Sequence, residues 1–128
     1  MGQSFRELAV WQRAIKLTLA VYKLTASFPE SEKFSLTSQL RRASVSVASN
    51  IAEGYGRSTK GEYVQFLGHA RGSVSEVETQ LVIAGALGYG SKHLLQDADA
   101  LCNEVGRMLR AMMKSLQSKS APSLVPSP

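Results

Sequence analysis

The sequence predicts an all-α protein, an antiparallel up-down-up-down four-helix bundle. Apolar residues recur with the 3.6-residue period of a helix along almost the whole chain, and no stretch alternates as a strand does. Four such amphipathic segments are separated by short connections that contain Pro, Gly and Ser. The chain has 128 residues, 44% hydrophobic and 20% charged, which is typical of one globular domain. We assign residues 1–117 to the bundle.

The first helix is predicted over about residues 5–26, because Phe28 precedes Pro29 and proline disfavours helix in the residue before it. The helix carries two apolar stripes whose centres lie roughly 140° apart at 100° per residue. One stripe contains Leu8, Trp11, Ile15, Leu19 and Tyr22, and the other contains Val10, Ala14, Leu17, Val21 and Leu24. A helix inside a monomeric bundle needs only one stripe. We therefore expect the stripe from Val10 to Leu24 to contact another copy of the chain.

The other three helices follow from capping signals and apolar spacing. The second is predicted over about residues 35–56, with Ser35 as its N-cap and small residues that permit a close helix contact. The third spans about 60–88 after a capping box that Thr59 and Glu62 form. The fourth spans about 91–117, with Ser91 as its N-cap. The proline- and serine-rich residues 118–128 are predicted to be a disordered tail.

Positive charge is concentrated in the first and last quarters of the chain, whose net charge is +5. The first helix carries Arg13, Lys16 and Lys23 within an arc of roughly 80°, and the last carries Arg107, Arg110 and Lys114 within roughly 60°. These helices are neighbours in an up-down bundle, so the two arcs could merge into one basic surface. Two interpretations fit: a merely solvated face, or a surface that binds nucleic acid, in the first place RNA.

The sequence offers no pattern for catalysis or metal binding. Di-iron bundles use Glu-x-x-His pairs, but the residues three before His69 and His93 are Phe66 and Gly90. Cys102 lies in an apolar row without a positioned base, so we expect a buried thiol that is not a nucleophile. We therefore expect no metal, no cofactor and no enzymatic activity. No apolar run is long enough for a signal peptide or a membrane span, so we expect a cytoplasmic protein without membrane contact.

The second helix carries the densest set of polar residues in the chain. The set comprises Arg41, Arg42, Asn50, Glu53 and Arg57. Most of its members recur at intervals of three or four residues, so they share one helix face. Two interpretations fit this face: a partly buried polar network that fixes the register of the helices, or a contact for a ligand or nucleic acid.

Several segments resemble a known bacterial family. They are FRELAVWQRAIKL, SQLRRASVSVASNIAEGYGR and FLGHARGSVSEVETQL, and they resemble the four-helix-bundle family that includes proteins encoded in intervening sequences of 23S ribosomal RNA genes. The resemblance covers about residues 5–116, and its NIAEG-x-GR core is specific. It implies a left-handed bundle, assembly into a ring-like homopentamer, and no catalytic activity. By fold, the chain is also similar to accessory proteins of diversity-generating retroelements, which bind nucleic acid and a reverse transcriptase.

These observations lead to two functional hypotheses. The first is a non-enzymatic, homo-oligomeric bundle that acts as a scaffold and binds RNA or DNA through its basic surface. The second is a protein–protein adaptor, in which a ring of bundles presents helices or the tail to a partner enzyme.

Overall fold

This computed structural model describes residues 4–120, which form four α-helices and two 3-10 turns joined by short connections. The helices are α1 (Ala9–Thr25), α2 (Leu36–Tyr55), α3 (Lys60–Ala86) and α4 (Lys92–Ser120), and the 3-10 turns are Phe5–Glu7 and Glu30–Glu32. No strand occurs among the residues described, and the predicted all-α class with four helices is confirmed. α4 continues to Ser120, past the predicted boundary at residue 117. The rest of the predicted tail lies outside the described residues.

Two of the predicted N-caps form their side-chain hydrogen bond in the structure. The hydroxyl of Thr59 accepts a hydrogen bond from the backbone N–H of Glu62 at 3.1 Å, at the start of α3. The hydroxyl of Ser91 accepts one from the backbone N–H of Leu94 at 3.1 Å, at the start of α4. Each bond satisfies one of the N–H groups that a helix start leaves without an intrahelical partner.

Ser35 occupies the predicted N-cap position of α2, and its carbonyl accepts from the backbone N–H of Gln39 at 2.9 Å, but its hydroxyl makes no capping hydrogen bond. The hydroxyl instead donates to Oε1 of Glu32 at 2.6 Å, and the same oxygen accepts from the backbone N–H of Leu36 at 3.3 Å. The other carboxylate oxygen accepts from the hydroxyl of Tyr89 at 3.0 Å. Glu32 thus takes over the capping role and joins the start of α2 to the α3–α4 turn. We call this end of the bundle the upper end.

Neighbouring helices run in opposite directions. In each of the three sequential helix pairs, residue numbers rise along one helix as they fall along the other. α1 also contacts α4, so the four helices close around one core. The contacts that define this order are Thr18–Ser44 and Thr25–Arg41, Ser46–Ser73 and Gly54–Phe66, and Val74–Gly106 and Gly85–Leu95.

The structure reverses the expected roles of the two stripes on α1. The stripe assigned to contact with another copy is core: Val10 is 2% exposed, and Ala14, Leu17, Val21 and Leu24 are fully buried. These residues pack inside the chain, so none of them is available to a second copy. In the other stripe Leu19 and Tyr22 are exposed, whereas Leu8, Trp11 and Ile15 are partly buried at the edge of the core. Only one side of α1 faces the interior, because α2 and α4 flank it.

Candidate self-association and nucleic-acid surfaces

α1 and α2 leave an apolar face on the outside of the bundle. Two adjoining cavities of about 320 and 470 Å³ lie along this face, and Val45 lines both of them. Trp11 and Ile15 line the lower cavity, whereas Tyr22 and Phe34 line the upper one. We define the α1–α2 face by its six large apolar residues. They are Trp11, Ile15, Leu19, Tyr22, Phe34 and Val45.

This face exposes more apolar surface than stability alone would require. Phe34 is 88% exposed and Leu19 is 64% exposed. Single exposed apolar residues are ordinary, but a contiguous patch of them marks a surface that binds something. The positive groups of Lys33, Arg41 and Arg42 border its upper part.

α3 carries a second set of exposed apolar side chains near its upper end. Val82 is 72% exposed, Leu87 55% and Ile83 44%. Val82 and Leu95 line a groove of about 440 Å³ between α3 and α4, and Asp99 borders it. Ile83 lies on the other side of α3, beside a surface cavity that Gln39 of α2 also lines. We call Val82, Ile83, Leu87 and Leu95 the α3 patch.

Lower down, the groove between α3 and α4 changes from apolar to basic. A separate cavity of about 160 Å³ lies there, and three arginines from the two helices line it. We call this cavity the arginine cleft. Its charged and polar lining residues are Arg71, Ser75, Glu78, Asn103, Arg107 and Arg110.

Cys102 lies in the wall of the arginine cleft, but its environment suppresses its reactivity. Burial raises the pKa of the Cys102 thiol to about 12, with smaller contributions from the negative charges of Glu78 and Asp99. The thiol is therefore protonated at neutral pH, and a nucleophilic cysteine needs the thiolate. In the described part of the chain, no cluster of three His, Cys, Asp or Glu residues could hold a metal ion.

The structure separates the two predicted basic arcs. Arg13 on α1 forms an ion pair with Glu104 on α4 at 2.6 Å, and both side chains are about one third exposed. The charge of Arg13 is thus neutralised within the bundle. The carboxylate of Glu104 lies between α1 and α4, where we expected the two basic arcs to merge. Arg107 and Arg110 point instead to the α3 side, where they line the arginine cleft. The remaining predicted residues, Lys16, Lys23 and Lys114, are exposed.

Arg71 is the basic residue that the sequence analysis missed. It lies on α3, in a quarter of the chain whose net charge is negative, so counting charge by segment hid it. A signal was nevertheless present. Arg71 lies 19 residues before Gly90 in the predicted turn, and Arg110 lies 20 residues after it. Two antiparallel helices joined at that turn therefore bring these arginines almost opposite each other.

The upper part of the predicted polar set on α2 contacts α1 rather than α3. The guanidinium of Arg41 donates from Nε to the hydroxyl of Thr25 at 2.8 Å and lies 4.5 Å from the ring centroid of Tyr22. Arg42, which is exposed, donates to the hydroxyl of Ser38 on its own helix at 3.1 Å. These two arginines therefore do not share a network with the rest of the set.

The lower part of the set includes the link between α2 and α3. The amide of Asn50 donates to the backbone carbonyl of Ser46 at 2.9 Å, and the hydroxyls of Ser46 and Ser73 lie 2.9 Å apart. Arg57, just past the end of α2, forms a separate ion pair with Glu53 at 3.4 Å, and its guanidinium lies 4.7 Å from the ring centroid of Phe66 on α3. The predicted set is thus several local groups. The contacts from this region to α3 include the Ser46–Ser73 hydroxyl pair and the Arg57–Phe66 stack.

Gly54, in the NIAEG segment, lies where α2 and α3 pack closely together. A Cβ atom at this position would lie 2.8 Å from Cβ of Phe66 and 3.1 Å from the ring of Tyr63. Only glycine leaves room for this contact. We call the contacts of Ser46 and Gly54 with α3 the α2–α3 seam.

Together these features define the class of protein: a single four-helix bundle with a closed α2–α3 seam, two exposed apolar surfaces and a basic cleft. No helix in the described residues is long and apolar enough to cross a membrane. The family of 23S rRNA-intervening sequence proteins matches residues 6–111, and the chain belongs to this family.

A solved structure supports the fold. A protein of unknown function from the S23 ribosomal protein family of Bacteroides thetaiotaomicron is similar to this chain with a TM-score of 0.74 and 18% sequence identity. The match covers 83% of this chain and 99% of that protein. No curated protein matches the chain.

Proposed function

We propose that this protein is a non-enzymatic scaffold in which copies of the bundle associate through their exposed apolar surfaces. The observation that carries the proposal is the occurrence of two such surfaces, the α1–α2 face and the α3 patch, on different sides of one chain. A self-complementary dimer needs one surface, whereas a head-to-tail contact needs two different ones. The pentamer that the family resemblance implies is a closed ring of the second kind.

The heights of the two surfaces support a ring whose axis runs parallel to the helices. Because Ser46 lies opposite Ser73 and Gly54 lies opposite Phe66, the start of α2 stands level with the last turns of α3. Phe34 on the α1–α2 face is therefore level with Val82 on the α3 patch. Rotation about a parallel axis keeps each residue at its own height, so Phe34 of one copy would meet the upper α3–α4 groove of the next.

Charge and size favour the same contact. Lys33 and Arg42 flank Phe34, whereas Asp99 borders the groove of about 440 Å³ that would receive its ring. Burying one phenylalanine ring contributes about 1.5–3 kcal/mol. Phe34 is the most exposed of the large hydrophobic side chains described, so its burial in a contact would remove a large apolar surface from water.

Light scattering of the purified protein over a range of concentrations tests this proposal. We expect a mass several times the 13.9 kDa of one chain. Phe34→Asp should reduce the mass to that of one chain without loss of helicity, because the side chain is 88% exposed and outside the helices. Ala111→Asp, which adds the same charge at an exposed site on α4 away from both surfaces, should leave the assembly intact. A stable single subunit in the unmodified protein would overturn the proposal.

The second part of the proposal is that the scaffold binds nucleic acid, in the first place RNA, through its exposed basic side chains. Arg107, Arg110 and Lys114 lie on α4, and Lys16 and Lys23 lie on α1, all without an ion-pair partner in the described residues. A ring would repeat these groups around its circumference. Such binding is electrostatic, largely independent of sequence and steeply weakened by salt.

A gel shift with a structured fragment of ribosomal RNA, at low and at physiological salt, tests this part. We expect binding at low salt that weakens as salt rises. The variant Lys16→Gln/Lys114→Gln should bind less tightly than the unmodified protein. If the assembled protein retains no RNA at micromolar concentration, this part fails, and the adaptor role with a partner protein takes its place.

A further inference from the structure

The eight arginines of the chain fall into two groups. Five of them have a partner within the chain, which is a carboxylate, a hydroxyl or an aromatic ring. The other three have no such partner in the described residues, and all three line the same cavity, the arginine cleft. The partnered residues are Arg6 with Ser4 and Phe5, Arg13 with Glu104, Arg41 with Thr25 and Tyr22, Arg42 with Ser38, and Arg57 with Glu53 and Phe66.

This distribution calls for an external anion. Arg71 reaches the cleft from α3, and Arg107 and Arg110 reach it from α4, so both walls bring positive charge to one place. Like charges repel, and an anion bound between them offsets that repulsion. Glu78 is the only carboxylate in the lining, which leaves two positive charges uncompensated. The thiol of Cys102 adds no negative charge, because it is protonated at neutral pH.

The size of the cleft limits the ligand to a single group. Its volume of about 160 Å³ is below the roughly 300 Å³ at which pockets for whole small molecules begin. The guanidinium fork suits oxyanions with two or more acceptor oxygens, and phosphate is the leading example. A terminal phosphate carries between about 1.5 and 2 negative charges at neutral pH, which matches the two uncompensated positive charges.

We propose that the arginine cleft binds one dianionic phosphate group, either inorganic phosphate or the terminal phosphate of a larger molecule. Arg71 and Arg110 hold the group from opposite walls, Arg107 contributes charge at the rim, and Ser75 and Asn103 are the neutral donors beside them. The site goes beyond the diffuse binding of nucleic acid proposed above and does not rest on it, because it takes a terminal phosphate and not the backbone. It is also separate from the α3 patch, which lies higher in the same groove.

The experiment uses the full chain in a buffer free of phosphate, with inorganic phosphate as the probe. The phosphorus resonance of the probe should broaden saturably when protein is added. Arg71→Gln/Arg110→Gln should weaken binding by about tenfold or more, since it removes both positive charges that hold the phosphate from opposite walls. Arg6→Gln/Lys60→Gln removes the same charge from exposed sites outside the cleft and should change binding little.

A variant that binds phosphate more tightly provides a further test, because unfolding could only weaken binding. Glu78→Gln removes the single carboxylate of the cleft and should tighten phosphate binding several-fold. The proposal is overturned if Arg71→Gln/Arg110→Gln binds phosphate as well as the unmodified protein does. The proposal is also overturned if Arg6→Gln/Lys60→Gln weakens phosphate binding as much as Arg71→Gln/Arg110→Gln does. The weakening would then result from the lower net charge of the protein and not from the cleft.

A second arm identifies the source of the phosphate. A short RNA with a 5′-phosphate and the same RNA with a 5′-hydroxyl are each added to the phosphate-loaded protein. Displacement by the first RNA alone supports a cleft that holds the end of a nucleic acid. No displacement by either RNA supports a cleft for free phosphate or a small phosphorylated molecule. Equal displacement by both overturns the terminal-phosphate site. If RNA does not bind at all while phosphate does, the nucleic-acid proposal fails and this one stands.

Discussion

α3 meets its two neighbours differently over its lower half. There it forms a closed seam with α2, in which Gly54 leaves no room for a Cβ atom and the hydroxyls of Ser46 and Ser73 are 2.9 Å apart. Higher up, a surface cavity of about 450 Å³ lies between α3 and Gln39 of α2. Against α4, α3 leaves a groove with cavities of about 440 and 160 Å³. The difference indicates that the seam sets the register of the bundle, whereas the groove is free to bind. Substitutions in the seam should therefore change stability, and substitutions in the groove should change binding.

The largest effect on stability is expected from Gly54→Ala. The new Cβ would lie 2.8 Å from Cβ of Phe66, and overpacking of this kind costs about 1–3 kcal/mol. The better helix propensity of alanine offsets up to about 1 kcal/mol of that cost. Gly72→Ala is the matched control, because nothing lies within 4 Å of its added Cβ. We expect chemical denaturation to show a less stable protein for the first change and a more stable one for the second. Equal effects would mean that the seam is not tightly packed.

The hydrogen bond across the seam should contribute less. Ser73→Ala leaves the side chain of Ser46 without its partner on α3 and should lower the free energy of unfolding by about 1 kcal/mol. The double change Ser46→Ala/Ser73→Ala removes both hydroxyls and should cost less than twice that amount, because no group is left unpaired across the seam. A double-mutant cycle on these two positions measures the coupling. Zero coupling would contradict a seam that is fixed by this bond.

Substitutions in the arginine cleft should not lower the stability of the protein, in contrast to substitutions in the seam. Arg71→Gln/Arg110→Gln removes two like charges without an ion pair, so we expect the free energy of unfolding to be unchanged or slightly higher in phosphate-free buffer. Arg13→Gln removes the positive charge that pairs with Glu104 between α1 and α4. This change should lower the free energy of unfolding by up to about 1 kcal/mol. Thermal unfolding of both variants at the same ionic strength makes the comparison. A marked loss of stability in the first variant would show that the cleft is structural.

The smallest effect is expected at the upper end, where Glu32 joins α2 to the α3–α4 turn. The hydrogen bond from Ser35, followed by those from Tyr89 and the backbone of Leu36, lowers the pKa of the Glu32 carboxyl below its ordinary value. A carboxyl with a lowered folded-state pKa stabilises the protein above its unfolded pKa and loses that contribution as pH falls through the folded value. The melting temperature should therefore fall on acidification below about pH 4.5, and less steeply in Glu32→Gln. If the melting temperatures of the unmodified protein and of Glu32→Gln fall equally with pH, Glu32 does not stabilise the upper end through its charge.

The sequence predicted most of the fold but not the orientation of α1. The period of 3.6 residues located the four helices, and the capping residues Thr59 and Ser91 located two of their starts. Periodicity finds an apolar stripe but does not say which of two stripes faces inward. The structure buries the one with smaller side chains, from Val10 to Leu24, and leaves Trp11 and Tyr22 at the surface, where their polar ends can reach water.

The candidate sites were predicted less well, because they depend on contacts between helices. Arg13 was counted as a free charge, yet its partner Glu104 is 91 residues away along the chain. Arg71 was missed for the same reason, since only the pairing of α3 with α4 brings it to Arg107 and Arg110. Charge counted along a sequence does not show which charges neutralise one another.

The most direct test of the scaffold is the mass of a mixture of two variants. Phe34→Asp alters the α1–α2 face, and Val82→Asp alters the α3 patch at a side chain that is 72% exposed. Each variant alone should be a single chain of 13.9 kDa, because each lacks one half of every contact. Their equimolar mixture should reach twice that mass at high concentration, because the intact face of one variant meets the intact patch of the other. The account is contradicted if either variant alone keeps the mass of the unmodified assembly.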